Sequence, residues 1–235
     1  MNDIEQEIFC IFNKEGKILQ VEYALEALNG SNPVVIGRNK NSIVCATKKI
    51  FKSKLLDEQP TNIFKITNTI YGASTGLHYD VDNIIIKAKE IHANREYELG
   101  IEVTPDILSL NIADKAQKVI QESGSRPLCF SLALFGFDNN IPSIYYTDVS
   151  AIHYPYYALG MGIKNGRVNS FLEKNYNVNL NDSELQEVIT EGLLQAIGED
   201  VSPNDISVYV LERGLQLKEF TNQEVDLLLQ RVADK

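Results

Sequence analysis

The chain has 235 residues, and its hydrophobic content of 44% is enough to bury a full core as one domain. We expect that domain to span 1–235. A formal net charge of −10, without any run of lysines and arginines, argues against a nucleic-acid-binding surface. No apolar stretch reaches the length of about 18 residues that a membrane helix needs, so no membrane partner is expected.

A short amphipathic helix is predicted at 17–29, in front of a strand-rich region. Its apolar residues recur at helical spacing and form one stripe, which consists of Ile18, Val21, Leu25 and Leu28. Asn29-Gly30 ends the helix. Surface helices usually pack their stripe on their own domain, and this alternative stays open beside a contact with another protein. Residues 1–16 lack the basic start and apolar run of a secretion signal, so we expect an intracellular protein.

Short runs of β-branched residues predict two pairs of strands after this helix, at 34–37, 43–47, 63–66 and 70–74. Two long helices follow. The first carries an apolar face formed by Leu77, Val81, Ile84, Ile85, Ala88 and Ile91. The second begins at Thr104-Pro105, where threonine caps the helix and proline fits its first position, and ends near Gly124.

The second half of the chain returns to strands, which are predicted at 128–135, 143–147, 152–159 and 206–211. A helix capped by Ser183 lies between the last two, and Thr221 with Glu224 opens a final helix. Strands on both sides of paired helices exclude a doubly wound parallel sheet, in which strand and helix alternate throughout. The order therefore predicts an α+β fold in which two stacked antiparallel sheets lie between helical layers.

No catalytic or metal-binding template is complete in the sequence. The motifs G-x-S-x-G and H-E-x-x-H and a phosphate-binding loop are all absent. Each of the three histidines, His78, His92 and His153, stands alone and is predicted to be isolated. Cys10, Cys45 and Cys129 are odd in number and far apart, which predicts neither a disulfide framework nor a zinc site. We expect no cofactor and no metal.

Residues 11–24, I-F-N-K-E-G-K-I-L-Q-V-E-Y-A, resemble the signature F-S-P-x-G-R-L-x-Q-V-E-Y-A that opens alpha-type subunits of the proteasome core particle. The similarity covers essentially the whole chain. The segments that look most like the subunit at the first position of the seven-membered alpha ring are 54–57, 64–67, 112–114, 126–128 and 171–174. The resemblance implies the four-layer αββα sandwich of the N-terminal nucleophile hydrolase fold.

By implication the protein is a non-catalytic alpha-ring subunit that acts in ubiquitin-dependent protein degradation in the cytoplasm and nucleus. Its partners would be the neighbouring alpha subunits and the beta-type subunits of a hetero-oligomeric, 28-subunit core particle, together with regulatory ATPases or other activators. Residues 1–16 would form the gate tail, and the stripe at 18–28 would contact a neighbouring ring subunit.

Two family sites are altered in this chain. Alignment on Phe12 puts Glu5, Gln6 and Glu7 where family tails carry Tyr-Asp-Arg, and Lys14 where they carry proline. Of the cluster that holds the gate open, only Tyr23 remains. In the activator pocket, Gly76 and Leu77 match the family, but Asn62 stands where a lysine receives the activator's terminal carboxylate. We expect little gating by this tail and a weaker activator pocket.

The resemblance also raises an enzymatic alternative, a threonine or serine peptidase. Active beta-type subunits use a threonine at the chain start, whose own amine acts as the base. The first threonine here is Thr47, inside the second strand, and Gly30-Ser31 is the only nearby bond whose cleavage would expose a hydroxyl nucleophile. Ala46-Thr47-Lys48 replaces the Asp-Thr-Arg of active relatives, so the carboxylate is missing and the non-catalytic interpretation is favoured.

Overall fold

The computed structural model describes residues 11–51, 53–57, 59–122, 124–198, 200–214 and 216–234. Its helices are α1 (Leu19–Leu28), α2 (His78–Leu99), α3 (Pro105–Gln121), α4 (Asn165–Asn175), α5 (Asp182–Ile197) and α6 (Asn222–Ala233). Its strands are β1 (Val34–Arg38), β2 (Ser42–Lys48), β3 (Ile63–Lys65), β4 (Ile70–Gly76), β5 (Phe130–Asp138), β6 (Ile141–Asp148), β7 (Tyr154–Pro155), β8 (Ala158–Met161), β9 (Ile206–Glu212) and β10 (Lys218–Glu219).

The strands form two antiparallel sheets of five strands each. One sheet has the order β10-β9-β2-β1-β8, and the other has the order β3-β4-β5-β6-β7. In the first sheet, Val34 pairs with Thr47 of β2 and with Met161 of β8. In the second, Gly76 at the end of β4 pairs with Phe130 at the start of β5.

Alternation along the strands divides the core into three apolar layers. Ile36 and Ile43 face Tyr71 and Phe135 between the two sheets. Val35 points to the opposite face of β1, where it joins the layer beneath α4, α5 and α6. A third layer packs α2 and α3 on the outer face of the second sheet. Because helices cover both outer faces, both sides of these strands are apolar, which explains their nearly continuous hydrophobic runs.

Helices on the outer faces of two stacked antiparallel sheets give the four-layer αββα arrangement, so the predicted fold class is confirmed. The extra N-terminal helix is also present, with bounds two residues later at its start and one residue earlier at its end than predicted. None of the helices in the described part of the chain has the length and hydrophobicity that a membrane span requires.

Three local predictions differ from the structure. The strand predicted at 152–159 is divided, because its first part pairs with β6 as β7 and its second part pairs with β1 as β8. The cap of α5 is Asn181 and not Ser183, since the Asn181 side chain accepts from the backbone amide of Glu184 in a capping box. Leu77 does not join the apolar face of α2, because it precedes the helix and is 51% exposed.

Candidate functional site

Polar side chains converge at one end of the sandwich, where β1 begins. We call Ser31, Asn32, Thr47, Asn62 and Thr75 the head cluster. The Asn32 amide donates to Asn62 Oδ1 and to the Lys48 carbonyl, both at 2.7 Å. Thr75 Oγ1 donates to the Asn32 carbonyl at 2.6 Å and lies 2.9 Å from the Ser31 hydroxyl. These bonds join the start of β1 to both sheets through neutral groups alone.

Asn62 lies inside the protein and is 8% exposed. Its Oδ1 accepts from Asn32, and its Nδ2 donates to the carbonyl of Ser74 at 2.7 Å. Both polar atoms of this amide are therefore bonded within the chain, and the amide carries no charge to offer an incoming carboxylate.

Gly76 and Leu77 lie at the same end of the sandwich, at the close of β4. The backbone of Gly76 has φ +143°, and a Cβ there would lie 2.3 Å from the Cys129 carbonyl oxygen, so the close approach of β4 and β5 requires glycine. Leu77 follows with its side chain about half exposed. Asn62 bonds to Ser74, which lies on the same strand as Gly76, two residues before it. Of these residues Leu77 is exposed, Gly76 is partly buried and Asn62 lies in the interior.

A buried carboxylate fixes the start of α2 beside this region. Asp80 is 1% exposed and accepts from both Nη atoms of Arg126, at 2.6 and 2.7 Å, and from the Cys129 backbone amide at 2.8 Å. The hydrogen bonds from Arg126, aided by the amide of Cys129, hold the pKa of Asp80 below its ordinary value although burial opposes this shift. The Asp80–Arg126 pair therefore ties α2 to the segment that leads into β5.

Helix α1 packs on the ends of β5 and β6 through its last turn. Leu28 is 5% exposed and contacts Cys129 and Val149, with Leu25 packed at the edge of this group. The assignment of Leu28 to a ring contact is therefore wrong, because its side chain is already buried within its own chain. For the C-terminal part of the stripe, packing on the helix's own domain is the correct alternative.

The N-terminal part of the same stripe borders an open cleft of about 630 Å³, the α1 cleft. Ile18 and Val21 line one side of it, and Ile120 and Ala151 line the other. Ile11 and Phe12 lie at the rim and are 58% and 71% exposed. Apolar side chains left open to solvent in this way indicate a surface that a partner covers.

The residues assigned to the gate are only partly within the described chain. Glu5, Gln6 and Glu7 lie outside the described residues. Lys14 is exposed, and Tyr23 is 58% exposed on α1. Neither of these two side chains forms a hydrogen bond or ion pair with another residue in the described ranges.

The head cluster does not have the parts of a nucleophile site. The Ser31 nitrogen is in a peptide bond, and its N–H donates to the Leu28 carbonyl at 3.0 Å. The Ser31 hydroxyl donates to the same carbonyl at 2.6 Å, so its proton is already hydrogen-bonded to the last turn of α1. Burial raises the pKa of the Cys45 and Cys129 thiols, which disfavours the thiolate form that a cysteine nucleophile needs.

Accordingly, the purified chain should hydrolyse no peptide, because Ser31 has neither a free amine nor a charged partner to activate it. The measurement is turnover of fluorogenic peptides by the repurified chain. Turnover that Ser31→Ala abolishes would contradict this prediction, provided that Ser53→Ala in an exposed loop leaves that turnover unchanged.

Away from the head cluster, a histidine lies within hydrogen-bonding distance of both a serine and an aspartate. His153 Nε2 lies 2.9 Å from Asp106 Oδ1, its Nδ1 lies 3.1 Å from Ser109 Oγ, and its ring stacks on Tyr145. The prediction that His153 is isolated is therefore wrong. Ser109 is 0% exposed, so no substrate reaches its hydroxyl and the group serves to tie α3 to the second sheet.

The other two histidines lie near carboxylates on the same helix, as His78 lies 3.7 Å from Asp82 and His92 lies 3.7 Å from Glu96. Among the residues that the structure describes, no group of histidine, cysteine and acidic side chains is arranged to hold a metal ion.

Comparison with known proteins identifies one family. A family model described as proteasome subunit matches residues 29–211, which include the head cluster and the Asp80–Arg126 pair. Proteasome subunit alpha type-7-A of Arabidopsis thaliana is 30% identical, over 94% of this chain and 89% of the relative. Proteasome subunit alpha of Saccharolobus solfataricus is 29% identical over 94% of each chain. Proteasome subunit alpha type-8 of Mus musculus is 30% identical, over 92% and 88% of the two chains.

Proposed function

We propose that α1 is the helix through which this chain assembles into its ring, from the premise that the chain belongs to the proteasome subunit family. Within that family it is an alpha-type member, a non-catalytic subunit of the core particle's alpha ring. Proteolytic activity resides in the beta-type subunits. The observation that supports the proposal is the position of α1, which runs directly into the head cluster and leaves the α1 cleft open beside Ile18 and Val21.

In this proposal the α1 cleft receives a neighbouring alpha subunit. Its lining is mainly apolar, and burying one Val or Ile side chain contributes roughly 1.5–3 kcal/mol. A ring requires two different contact faces on each subunit, and the cleft with its exposed Ile11 and Phe12 supplies one of them. The beta-type subunits are the second class of partner, in a core particle of 28 subunits.

Core particles purified through a tag on this chain test the proposal. They should contain other alpha-type subunits together with beta-type subunits, and they should hydrolyse peptides. A chain that purifies alone, or only with copies of itself, would contradict the proposed place in a hetero-oligomeric ring. Cross-linking to its neighbours in the same particles tests the first ring position, and fluorescent tagging tests the cytoplasmic and nuclear localisation.

We further propose that this subunit contributes little to closing the pore. Residues 1–7 carry Asp3, Glu5 and Glu7 without a lysine or arginine. Acidic tails that converge on one axis repel each other, and salt screens this repulsion only beyond about 10 Å at 0.1 M ionic strength.

Deleting residues 2–7 should therefore raise the basal peptide hydrolysis of assembled core particles only slightly, because an acidic tail that is repelled from the axis closes little of the channel. Placing Tyr-Asp-Arg at positions 5–7 should make opening by an activator more complete. A rise on deletion as large as that from removing the longest tail in the ring would contradict the proposal.

Activator docking is proposed to occur at Gly76 and Leu77 without an ion pair from Asn62. The half-exposed Leu77 offers an apolar contact, whereas the Asn62 amide is bonded to Asn32 and Ser74 inside the chain. Regulatory ATPases or other activators would thus bind this subunit more weakly than one with a lysine at the same place.

A further inference from the structure

A second pocket lies between α2 and α3, close to the segment that leads into β5. Its volume is about 240 Å³, and its floor is formed by the apolar side chains of Ile84, Leu128, Phe130 and Val149. Ile84, Phe130 and Val149 are almost fully buried, so the floor is fixed by the core of the second sheet. Val149 also belongs to the buried apolar group that contains Leu28 of α1.

Among the residues that the structure describes, three lysines and no carboxylate line this pocket. Lys87 comes from α2, and Lys115 and Lys118 come from α3; we call the site the lysine pocket. None of the three forms an ion pair or hydrogen bond with another residue of the described chain. The whole chain carries a net charge of −10, so this cluster of three cations is opposite in sign to the net charge of the protein.

Helix stability and packing explain the presence of lysine at only some of these three positions. Lys118 lies in the last turn of α3, where a cation is favoured by the helix dipole. Lys115 stands three residues earlier on the same helix, a spacing at which two like charges destabilise a helix slightly. Lys87 is half-buried, so its apolar stem covers the floor while its ammonium group remains at the opening.

The size of the pocket narrows the class of ligand. Sites for small molecules usually have volumes of about 300–1,000 Å³, whereas this pocket has about 240 Å³, room for one or two apolar side chains. A peptide segment that places an apolar side chain on the floor brings its own neighbouring residues to the rim. Carboxylates at the rim would form charge-assisted hydrogen bonds with the lysines.

We propose that the lysine pocket docks an acidic and apolar peptide segment of another core-particle subunit. One apolar side chain of that segment contacts Ile84 and Phe130, and carboxylates beside it pair with Lys115 and Lys118. The proposal rests on the assignment of the chain to the core particle, and it adds a contact that does not involve the α1 cleft.

Lysine acetylation of intact core particles tests whether the pocket is covered. The acetylation rates of Lys87, Lys115 and Lys118 should be at least about tenfold lower in the particle than in the free chain. Each rate is measured relative to that of Lys174 on α4, and a tenfold decrease corresponds to about 1.4 kcal/mol of protection. Unchanged reactivity in particles that contain the chain overturns the inference. Absence of the chain from the particles would instead overturn its proposed place in the ring, and the inference with it.

Carbodiimide cross-linking of the same particles identifies the occupant, because it joins a lysine amine to a contacting carboxylate as an amide with loss of water. Cross-links from Lys115 or Lys118 to Asp or Glu of another subunit support the proposal. Cross-links only to carboxylates of this chain, including Asp3, Glu5 and Glu7, overturn it in favour of an intramolecular occupant, and the absence of any cross-link overturns it as well.

Charge variants at Lys115 and Lys118, which are both exposed in the free chain, give a second test. Lys115→Glu combined with Lys118→Glu should reduce incorporation into core particles at least about tenfold, a loss of about 1.4 kcal/mol. Lys115→Arg combined with Lys118→Arg should retain incorporation, because the charge is kept. Full incorporation of the glutamate variant overturns the proposal.

Discussion

Replacing Asp80 by asparagine should lower the free energy of unfolding by about 3 kcal/mol, because it removes the charge that accepts three short hydrogen bonds. Breaking a fully buried ion pair costs about 3–5 kcal/mol, and the lower end applies because the Arg126 side chain is 58% exposed and regains water. In a chain of this size the midpoint of thermal unfolding should fall by about 6–12 °C.

The same carboxylate makes stability depend on pH. Its folded-state pKa lies below the unfolded value of about 4, so the contribution is fully present above that pH. The contribution is lost as pH falls through the folded-state pKa. The difference in unfolding free energy between wild type and Asp80→Asn should therefore be constant near neutrality and shrink below about pH 4.

Asp82→Asn is the matched control, since Asp82 lies two residues away on the same helix with its side chain 53% exposed. Its effect should stay within about 0.5 kcal/mol, as expected for surface substitutions. Urea unfolding of the three chains across pH measures both effects. Equal stability of Asp80→Asn and Asp82→Asn at neutral pH would contradict the role of the Asp80–Arg126 pair.

Replacing Val21 by aspartate should weaken incorporation into the ring by at least about 100-fold, which corresponds to about 3 kcal/mol. Val21 lines the α1 cleft, and the change both removes an apolar contact and places an unpaired carboxylate in the interface. The helix itself should not suffer, because Val21 lies in the first turn of α1, where an acidic side chain is favoured.

Gln20→Asp introduces the same charge into the same turn, but Gln20 lies outside the lining of the α1 cleft. This variant should enter core particles as wild type does. Competition between tagged wild-type and variant chains during assembly measures the ratio directly. Equal incorporation of Val21→Asp and wild type would show that the α1 cleft is not a ring contact.

The sequence predicted the architecture correctly where local patterns determine the helices and strands. The order of strands and helices excluded a parallel sheet, and the Thr221 and Glu224 spacing placed the start of α6 correctly. The strand predicted at 152–159 failed for a reason that no local pattern contains. The first part is Tyr154-Pro155 and the second begins at Ala158-Leu159, and only pairing with β6 or β1 assigns the two parts to different sheets.

The candidate site was less predictable because its contacts are distant along the chain. Asn32 and Asn62 are separated by 30 residues, and Asp80 and Arg126 by 46, so no spacing rule brings them together. The apolar stripe of α1 was visible as a pattern, but periodicity cannot tell which end packs on its own domain. Burial of Leu28 and openness at Val21 emerge only from the tertiary structure.

The intact mass of this chain, released from assembled and active core particles, tests most directly whether it is a non-catalytic ring subunit. The chain should retain α1, with Ser31 still joined to Gly30 by a peptide bond. A mature chain that begins at Ser31 would contradict this prediction, because cleavage would remove α1 and give the Ser31 hydroxyl the free amine that a nucleophile of this fold requires.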